Sequence, residues 1–442
     1  MAWLTVFVLP WILDTHQYGM VVLLATFEGV ATGFLLLGQD SAIFWRCASH
    51  ENPHAAHTCV IGAMLITGAA CLVALLACSI GALTTGGSIL GVPVWPHIWL
   101  LAVGVTLGNV NRIALAFARA SGRTREFVLD RAAVGAGRFG STLGVAALSG
   151  SALSYPVGMV IGTAAGGMWL CRLFISRGQR LERTGAEIRS LLRFGAPLSA
   201  HLLAMNTINL VDRWVIGAVL GLAAVGSYGW YYMLGSGVVF VFAALSVSYE
   251  PQIYREFQRV GDTQSLREFL GVSFAASGAY GLVGCGVALF ATDLVPASVR
   301  ADQAIAAIVL IAHWFRPVYL GANYLLSSVG RTMRVAGISG ATLVCTVAAN
   351  VVLIPTLGVI GGAWATLIGA LVLVFSAIVT MRRLAMPVAV LVKPTAVIAT
   401  ISATILFELG LLSFALGSAV VTLYGVHASG IHRRIRRRFD EV

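Results

Sequence analysis

Three stretches of this chain contain no Asp, Glu, Lys or Arg: the residues between Glu51 and Arg112, between Arg213 and Glu250, and between Arg334 and Arg382. Crossing a bilayer as a helix takes about 20 apolar residues, so each stretch has room for one or two spans. A soluble domain carries charge on about a quarter of its residues. Here 11% of 442 residues are charged and 58% are hydrophobic. Membrane β-strands alternate polar and apolar residues over about ten positions, and these runs are too long and too evenly apolar for that. The pattern predicts an all-α polytopic membrane protein.

Hydropathy divides the chain into fourteen predicted spans: 2–13, 18–39, 58–80, 97–118, 130–150, 154–175, 194–218, 224–247, 268–291, 303–328, 335–354, 358–381, 389–408 and 410–427. The first is too short to cross. No basic residues precede it, so it reads as a helix lacking its beginning rather than as a signal peptide. The loops at 176–193 and 250–267 read as short basic amphipathic segments on the membrane surface.

Charge placement sets the orientation. The net charge is +11, and 24 of the 29 Arg and Lys residues follow even-numbered spans or lie in the tail, among them Arg119, Arg123, Arg125, Arg131 and Arg433 to Arg438. Odd loops hold only Arg300, and Arg112, Arg138, Arg213 and Arg316 lie within spans. The positive-inside rule puts the even side and both termini of this multi-pass chain in the cytoplasm. The basic excess is thereby assigned to membrane lipids, and no nucleic-acid partner is implied.

Seven cysteines lie mostly inside spans, which argues against a disulfide framework. Cys47, His50, His54, His57 and Cys59 are close enough in sequence to ligate zinc, but their order matches no standard pairing, so no metal is assigned. Nor is any cofactor. The 49 glycines include ladders at Gly158, Gly162 and Gly166, at Gly361, Ala365 and Gly369, and at Gly104 and Gly108. Small residues four apart let membrane helices approach closely. No Walker lysine follows a glycine loop, and Lys393 is the only lysine.

An internal repeat organises the chain. Tyr18-Gly19 recurs as Tyr228-Gly229 at an offset of 210, Gly122-Arg123-Thr124 as Gly330-Arg331-Thr332 at 208, and the Pro-containing turn ending at Gly158 as the one ending at Gly358 at 200. Six spans per repeat give both halves the same sense in the membrane. Such parallel repeats place a substrate site between them near mid-membrane. The expected organisation is an N-terminal lobe at 1–190, a C-terminal lobe at 191–385, two further helices at 386–427 and a basic tail at 428–442.

Leu192-Arg193-Phe194-Gly195-Ala196-Pro197-Leu198, Asn209-Leu210-Val211-Asp212-Arg213 and Gly221 to Tyr228 resemble the seventh-to-eighth helix region of Wzx-type polysaccharide flippases. Asn350 to Thr366 is similar to the same family, and Pro10 to Arg46 to its opening hairpin. These proteins belong to the multidrug/oligosaccharidyl-lipid/polysaccharide exporter superfamily. The resemblance implies two six-helix lobes, alternating access, and a sugar chain on an undecaprenyl diphosphate carrier as substrate, with other polysaccharide-assembly proteins as partners.

The residues that suit this chemistry fall on polar stripes. Asn206, Asn209 and Arg213 share one face of the seventh span, with Asp212 at its edge. His313, Arg316, Tyr319 and Asn323 mark the tenth, and Asn109 and Arg112 the fourth. Arg can bind phosphate, while Asn, Tyr and His can bind sugar hydroxyls. Adjacent Asp212 and Arg213 point about a third of a turn apart, so each is expected to find another partner. Arg213 and Arg316 read either as cavity residues or as members of structural ion pairs. Arg112 and Arg138 read as snorkelling side chains, and Glu28, alone in its span, as a candidate proton or cation site.

Three function classes remain. A flippase of lipid-linked saccharides fits the many intramembrane arginines. An ion-coupled exporter of amphiphiles would show paired acidic residues. A saccharide polymerase or ligase would carry a large, charged external loop, and the external loops here are short, so the chain is read as no enzyme. The charge asymmetry predicts that a periplasm-active reporter fused at Val442 is silent and one fused near Val359 is active. An active fusion at Val442 would contradict the fourteen-span topology.

Overall fold

In the computed structural model of the chain, the described residues are 5, 8–40, 42–43, 53–84, 87–175, 203–290, 299, 302–408 and 410–429. They form fifteen α-helices and one two-residue-per-strand hairpin. Nine stretches among them are long and apolar enough to cross a membrane. The chain divides into two compact units, Met1–Gly229 and Trp230–Val442. Large apolar side chains stand outward, Leu148 at 91% exposure and Val247 at 79%, as a hydrocarbon solvent allows.

Unit 1 has a single 3-10 turn at Leu9–Trp11, within the first predicted span, of which residues 5 and 8–13 are described. The helices that follow are α1 Thr15–Leu35, α2 Pro53–Thr84, α3 Trp99–Ala120, α4 Thr124–Ser149, α5 Ser154–Ile175 and α6 Val211–Leu220. Helix α7, Leu222–Ser236, starts in this unit and ends in the next. Strands β1 Ser88–Ile89 and β2 Val92–Pro93 pair antiparallel between α2 and α3. Their turn uses left-handed backbone at Leu90 and Gly91, the geometry of a tight hairpin.

The glycine ladders act as read. Helices α4 and α5 run antiparallel in close contact: a side chain at Gly158 would strike Thr142, one at Gly162 would strike the Arg138 backbone, and one at Gly166 would strike Val134 and Asp130. Gly104 and Gly108 seat Met159 in the same way between α3 and α5. The repeated Tyr-Gly pairs meet each other's helices. Gly19 on α1 faces the Leu222 carbonyl on α7, Gly226 faces Tyr18 and the Thr15 carbonyl, and Gly229 faces Val22.

Unit 2 holds α8 Val239–Val260, α9 Gln264–Phe290, α10 Ala304–Trp314, α11 Arg316–Ser328, α12 Thr332–Leu357, α13 Val359–Arg383, α14 Ala389–Glu408 and α15 Leu411–Ser429. Gly361 and Gly369 on α13 press against Leu353 and Thr346 on α12. The last helix is built into this unit: Gly271 and Gly278 on α9 abut Ser429 and Thr422 on α15, and Gly425 abuts Ala275.

Several spans differ from the continuous helices expected. The seventh is helical at 203–208, turns at 209–210 and resumes as α6. The eighth breaks between α7 and α8, where Gly237 sits under the Tyr280 hydroxyl and Tyr280 Oη donates to the freed Leu234 carbonyl at 2.7 Å. The tenth breaks between α10 and α11, because Pro317 has no N–H to return to the His313 carbonyl. The segment from 250, read as a basic amphipathic stretch, is helical as the end of α8, closed by left-handed Gly261. Cys47 and His50 of the Cys/His cluster lie outside the described residues, as do 176–193 and the tail from 430.

The α4–α5 contact gives a stability test. A side chain at Gly162 must displace backbone, so Gly162→Val is expected to cost at least about 1–3 kcal/mol and to lower the thermal midpoint in detergent. Gly140→Ala, with open space around it, is expected to leave that midpoint unchanged. Equal midpoints for both variants would contradict the packing described.

Candidate functional site

The polar interior of unit 1 is built around α1. Arg138, two turns inside α4's apolar half, donates from Nη1 to Glu28 Oε1 at 2.8 Å and from Nη2 to Glu28 Oε2 at 2.5 Å. Tyr155 at the start of α5 donates its hydroxyl to Glu28 Oε2 at 2.6 Å, and the Arg138 guanidinium lies 4.9 Å from the Tyr155 ring centroid. This corrects two expectations. Glu28 is not a solitary carboxylate, and Arg138 does not snorkel. Each removes the cost of the other, since an unmatched charge at span centre costs about 2.5–3.5 kcal/mol. Both Glu28 oxygens are taken, which leaves it no role as an open cation site in this arrangement.

A second cluster forms where the seventh span turns. Asp212 and Arg213 are both buried, and Arg213 Nη1 meets Asp212 Oδ1 at 2.8 Å. The same nitrogen donates to the Asn209 carbonyl at 2.8 Å, the Arg213 amide donates to Asp212 Oδ1 at 2.9 Å, and Tyr228 Oη donates to Asp212 Oδ2 at 2.5 Å. Sequence reasoning expected these neighbours to diverge. They pair because α6 starts at Val211 from a non-helical Leu210, so the guanidinium curls back over the first turn. Tyr18 on α1 and Tyr228 on α7, both fully buried, enclose the pair. Asn206 lies apart from it, donating to the Gly29 carbonyl at 3.3 Å over Gly33.

On α3, Asn109 is fully buried and Arg112 is exposed. Asn109 is a neighbour of Cys71 on α2, and Arg112 lies within electrostatic range of Glu28. The two therefore face different surroundings.

In unit 2 the predicted stripe collects at the α10–α11 break. Arg316, the first residue of α11, has Tyr232, Tyr319 and Tyr324 as electrostatic neighbours. His313 is buried on the preceding turn with its ring edge-on to Tyr232, centroids 6.3 Å apart. Tyr319 Oη and Ser339 Oγ lie 3.5 Å apart. Asn323 accepts from Ser327 at 3.3 Å, one turn further along. The structure thus brings His313, Arg316 and Tyr319 to one break, with Asn323 trailing. A guanidinium among phenol hydroxyls at an interrupted helix offers bidentate donors for phosphate and donor–acceptor groups for sugar.

Sequence reasoning missed the tyrosines: Tyr155, Tyr232 and Tyr324 were not singled out, and Tyr18 and Tyr228 served only as repeat markers. No sequence signal marks them: Tyr155, Tyr232 and Tyr324 share no common neighbour in the chain.

Apolar helices with two internal ion pairs among the described residues, and with spans broken at polar residues, make a polytopic membrane bundle. The family model described as "Polysaccharide biosynthesis protein" matches residues 1–251, more than half of the chain, and the chain belongs to that family. No curated protein matches it. Among solved structures it is similar to the lipid II flippase MurJ in an inward closed conformation, with a TM-score of 0.69 at 11% identity, covering 98% of this chain and 97% of that one. It is also similar to an inward-facing multidrug resistance MATE family transporter of the MOP superfamily, with a TM-score of 0.67 at 14% identity over 89% and 94% of the two chains. A MATE protein in its straight conformation gives 0.54 at 16% identity over 89% and 94%. The fold is that of the MOP transporters.

The Glu28–Arg138 geometry predicts non-additive mutations. Glu28→Leu or Arg138→Met alone is expected to cost about 3–5 kcal/mol by stranding the partner, and the double variant to recover most of it. Thermal unfolding of the four proteins checks this, and additive losses would contradict the pairing.

Proposed function

We propose that the chain carries lipid-linked saccharide, a sugar chain on an undecaprenyl diphosphate carrier, across the bacterial cytoplasmic membrane. The two lobes, 1–190 and 191–385, work by alternating access, and both termini lie in the cytoplasm. Membership of the polysaccharide biosynthesis family supports the substrate class, and likeness to flippase and exporter structures supports the mode of transport. The observation that carries most weight is Arg316 set among Tyr232, Tyr319 and Tyr324 at a broken span. Interrupted helices are where transporters bind their cargo. A planar guanidinium recognises phosphate in a way a lysine cannot reproduce.

Arg316 is the proposed phosphate contact, with His313, Tyr319 and Asn323 as saccharide contacts. Within unit 1, Arg112 and Asn109 of α3, and Asn206 and Asn209 of the seventh span, are proposed as further substrate contacts. Arg213 is tied to Asp212, and its geometry favours a supporting role for those contacts. An ion-coupled exporter of soluble amphiphiles is less well supported, because the carboxylates Glu28 and Asp212 are committed to arginines. A transporter rather than an enzyme is the reading throughout.

The test separates transport from folding. Arg316→Ala is expected to abolish cell-surface saccharide while membrane protein abundance stays normal, and Arg316→Lys to reduce it. Arg213→Ala is expected to lower abundance itself, since it strands buried Asp212 at about 3–5 kcal/mol. The measurement is surface saccharide normalised to protein in the membrane. Full export by Arg316→Ala at normal abundance would remove the phosphate role.

A further inference from the structure

The hairpin of α3 and α4 sets two arginines side by side, next to a hydrogen bond from an amide to a carboxylate. Asn111 on α3 donates from Nδ2 to Asp130 Oδ2 on α4 at 3.0 Å, and both side chains are buried. Gly166 on α5 makes room for the Asp130 carboxylate. The next residue on each helix is an arginine, Arg112 after Asn111 and Arg131 after Asp130, and both arginines are exposed. They are brought into mutual electrostatic range, and Arg119 joins them. Arg119 is also exposed and lies seven residues beyond Arg112, on the same face of α3.

The charges that face this group come from each packed element. Asp130 of α4 turns its carboxylate inward to Asn111. Glu28 of α1 acts on Arg112 from a distance while both its oxygens are bound by Arg138 and Tyr155. Arg131 is steadied by the Phe127 ring, its guanidinium carbon 5.7 Å from the centroid. Arg131 is repelled by Arg112 and Arg119 and attracted by the neighbouring Asp130 carboxylate, and a multiply charged anion adds to that attraction. At 1.5 Å of rise per residue, Arg112 stands about 10 Å further along α3 than Arg119. The three therefore form a track from the α3–α4 turn into the span.

We propose that Arg112, Arg119 and Arg131 form an anion site on unit 1 that takes the diphosphate of a lipid-linked substrate at the α3–α4 end of the membrane, before it moves deeper. The site rests on the lipid-linked reading above and adds to it an entry point on α3 and α4. Two phosphates match three forked donors better than one phosphate does. The same chemistry is shared by the headgroups of ordinary anionic phospholipids, so the test must separate the two sources.

The full chain in phosphatidylcholine nanodiscs is titrated with geranylgeranyl diphosphate, and separately with phosphatidylglycerol. The wild type is expected to bind the diphosphate in preference. Arg112→Gln/Arg131→Gln is expected to weaken that binding at least tenfold at an unchanged thermal midpoint. Arg131→Gln alone, a substitution on an exposed position, is expected to weaken it by a smaller factor, and it carries the test if the double variant does not fold. Arg383→Gln, at an exposed position ending α13, is expected to leave binding as in the wild type. Undiminished binding by the arginine variants would overturn this site alone. Displacement of the probe by phosphatidylglycerol at equal mole fraction would overturn it as a general attraction to anionic lipid. Failure of the wild type to bind the diphosphate at all would overturn both this site and the lipid-linked reading.

Discussion

Charge in hydrocarbon must be matched where it stands, and the Glu28–Arg138 pair is the point from which unit 1 is organised. Two charge-assisted bonds and a stacked Tyr155 fix α1 against α4 and α5. The glycine ladder joins α4 to α5 so closely that these two helices offer α1 a single surface. On its other faces α1 receives Asn206 at Gly29 and the α7 backbone at Gly19. Among the described residues, Thr15–Leu35 thus meets the Glu28–Arg138–Tyr155 cluster, the Asn206 amide and, through Tyr18, the surroundings of Arg213. Replacing the pair with apolar residues is a smaller insult than breaking it, which is characteristic of buried ion pairs in general.

Unit 2 handles its intramembrane charge in another way. Arg316 stands at a helix break that Pro317 enforces, among three tyrosines and beside His313. Tyrosines stabilise a guanidinium through their hydroxyls and ring faces without neutralising it. Arg138 and Arg213, by contrast, each bind a carboxylate, Glu28 and Asp212, and so join the parts of the fold that carry them.

Much of the architecture was legible in the sequence because a bilayer imposes simple rules. Charge-free runs marked the helices, and four-residue glycine spacing marked close-packing faces, whose partners (α4 with α5, α3 with α5, α12 with α13) only the structure supplies. What remained hidden depends on backbone detail. The direct Asp212–Arg213 pair needs a helix that starts at Val211, and nothing in Asn209-Leu210-Val211 announces that start. The partnership of Glu28 with Arg138 spans 110 residues of sequence, although the presence of one isolated acid and several isolated arginines inside spans already demanded such pairings. The break at Gly237 and its capping by Tyr280 fall inside a span read as continuous. The polar stripe of the tenth span was read correctly as a group, while the tyrosines that complete it come from α7 and from the far end of α11.

The central claim is that this chain moves a saccharide on a polyprenyl diphosphate, and reconstitution tests it most directly. Vesicles containing the full chain and a fluorescent polyprenyl-diphosphate saccharide are treated with a membrane-impermeant quencher. The account predicts that inner-leaflet lipid becomes accessible at a rate that depends on the protein and is lost with Arg316→Ala. If the labelled lipid stays in its leaflet while a soluble cationic dye is transported by the same vesicles, the flippase reading is contradicted and the exporter reading takes its place.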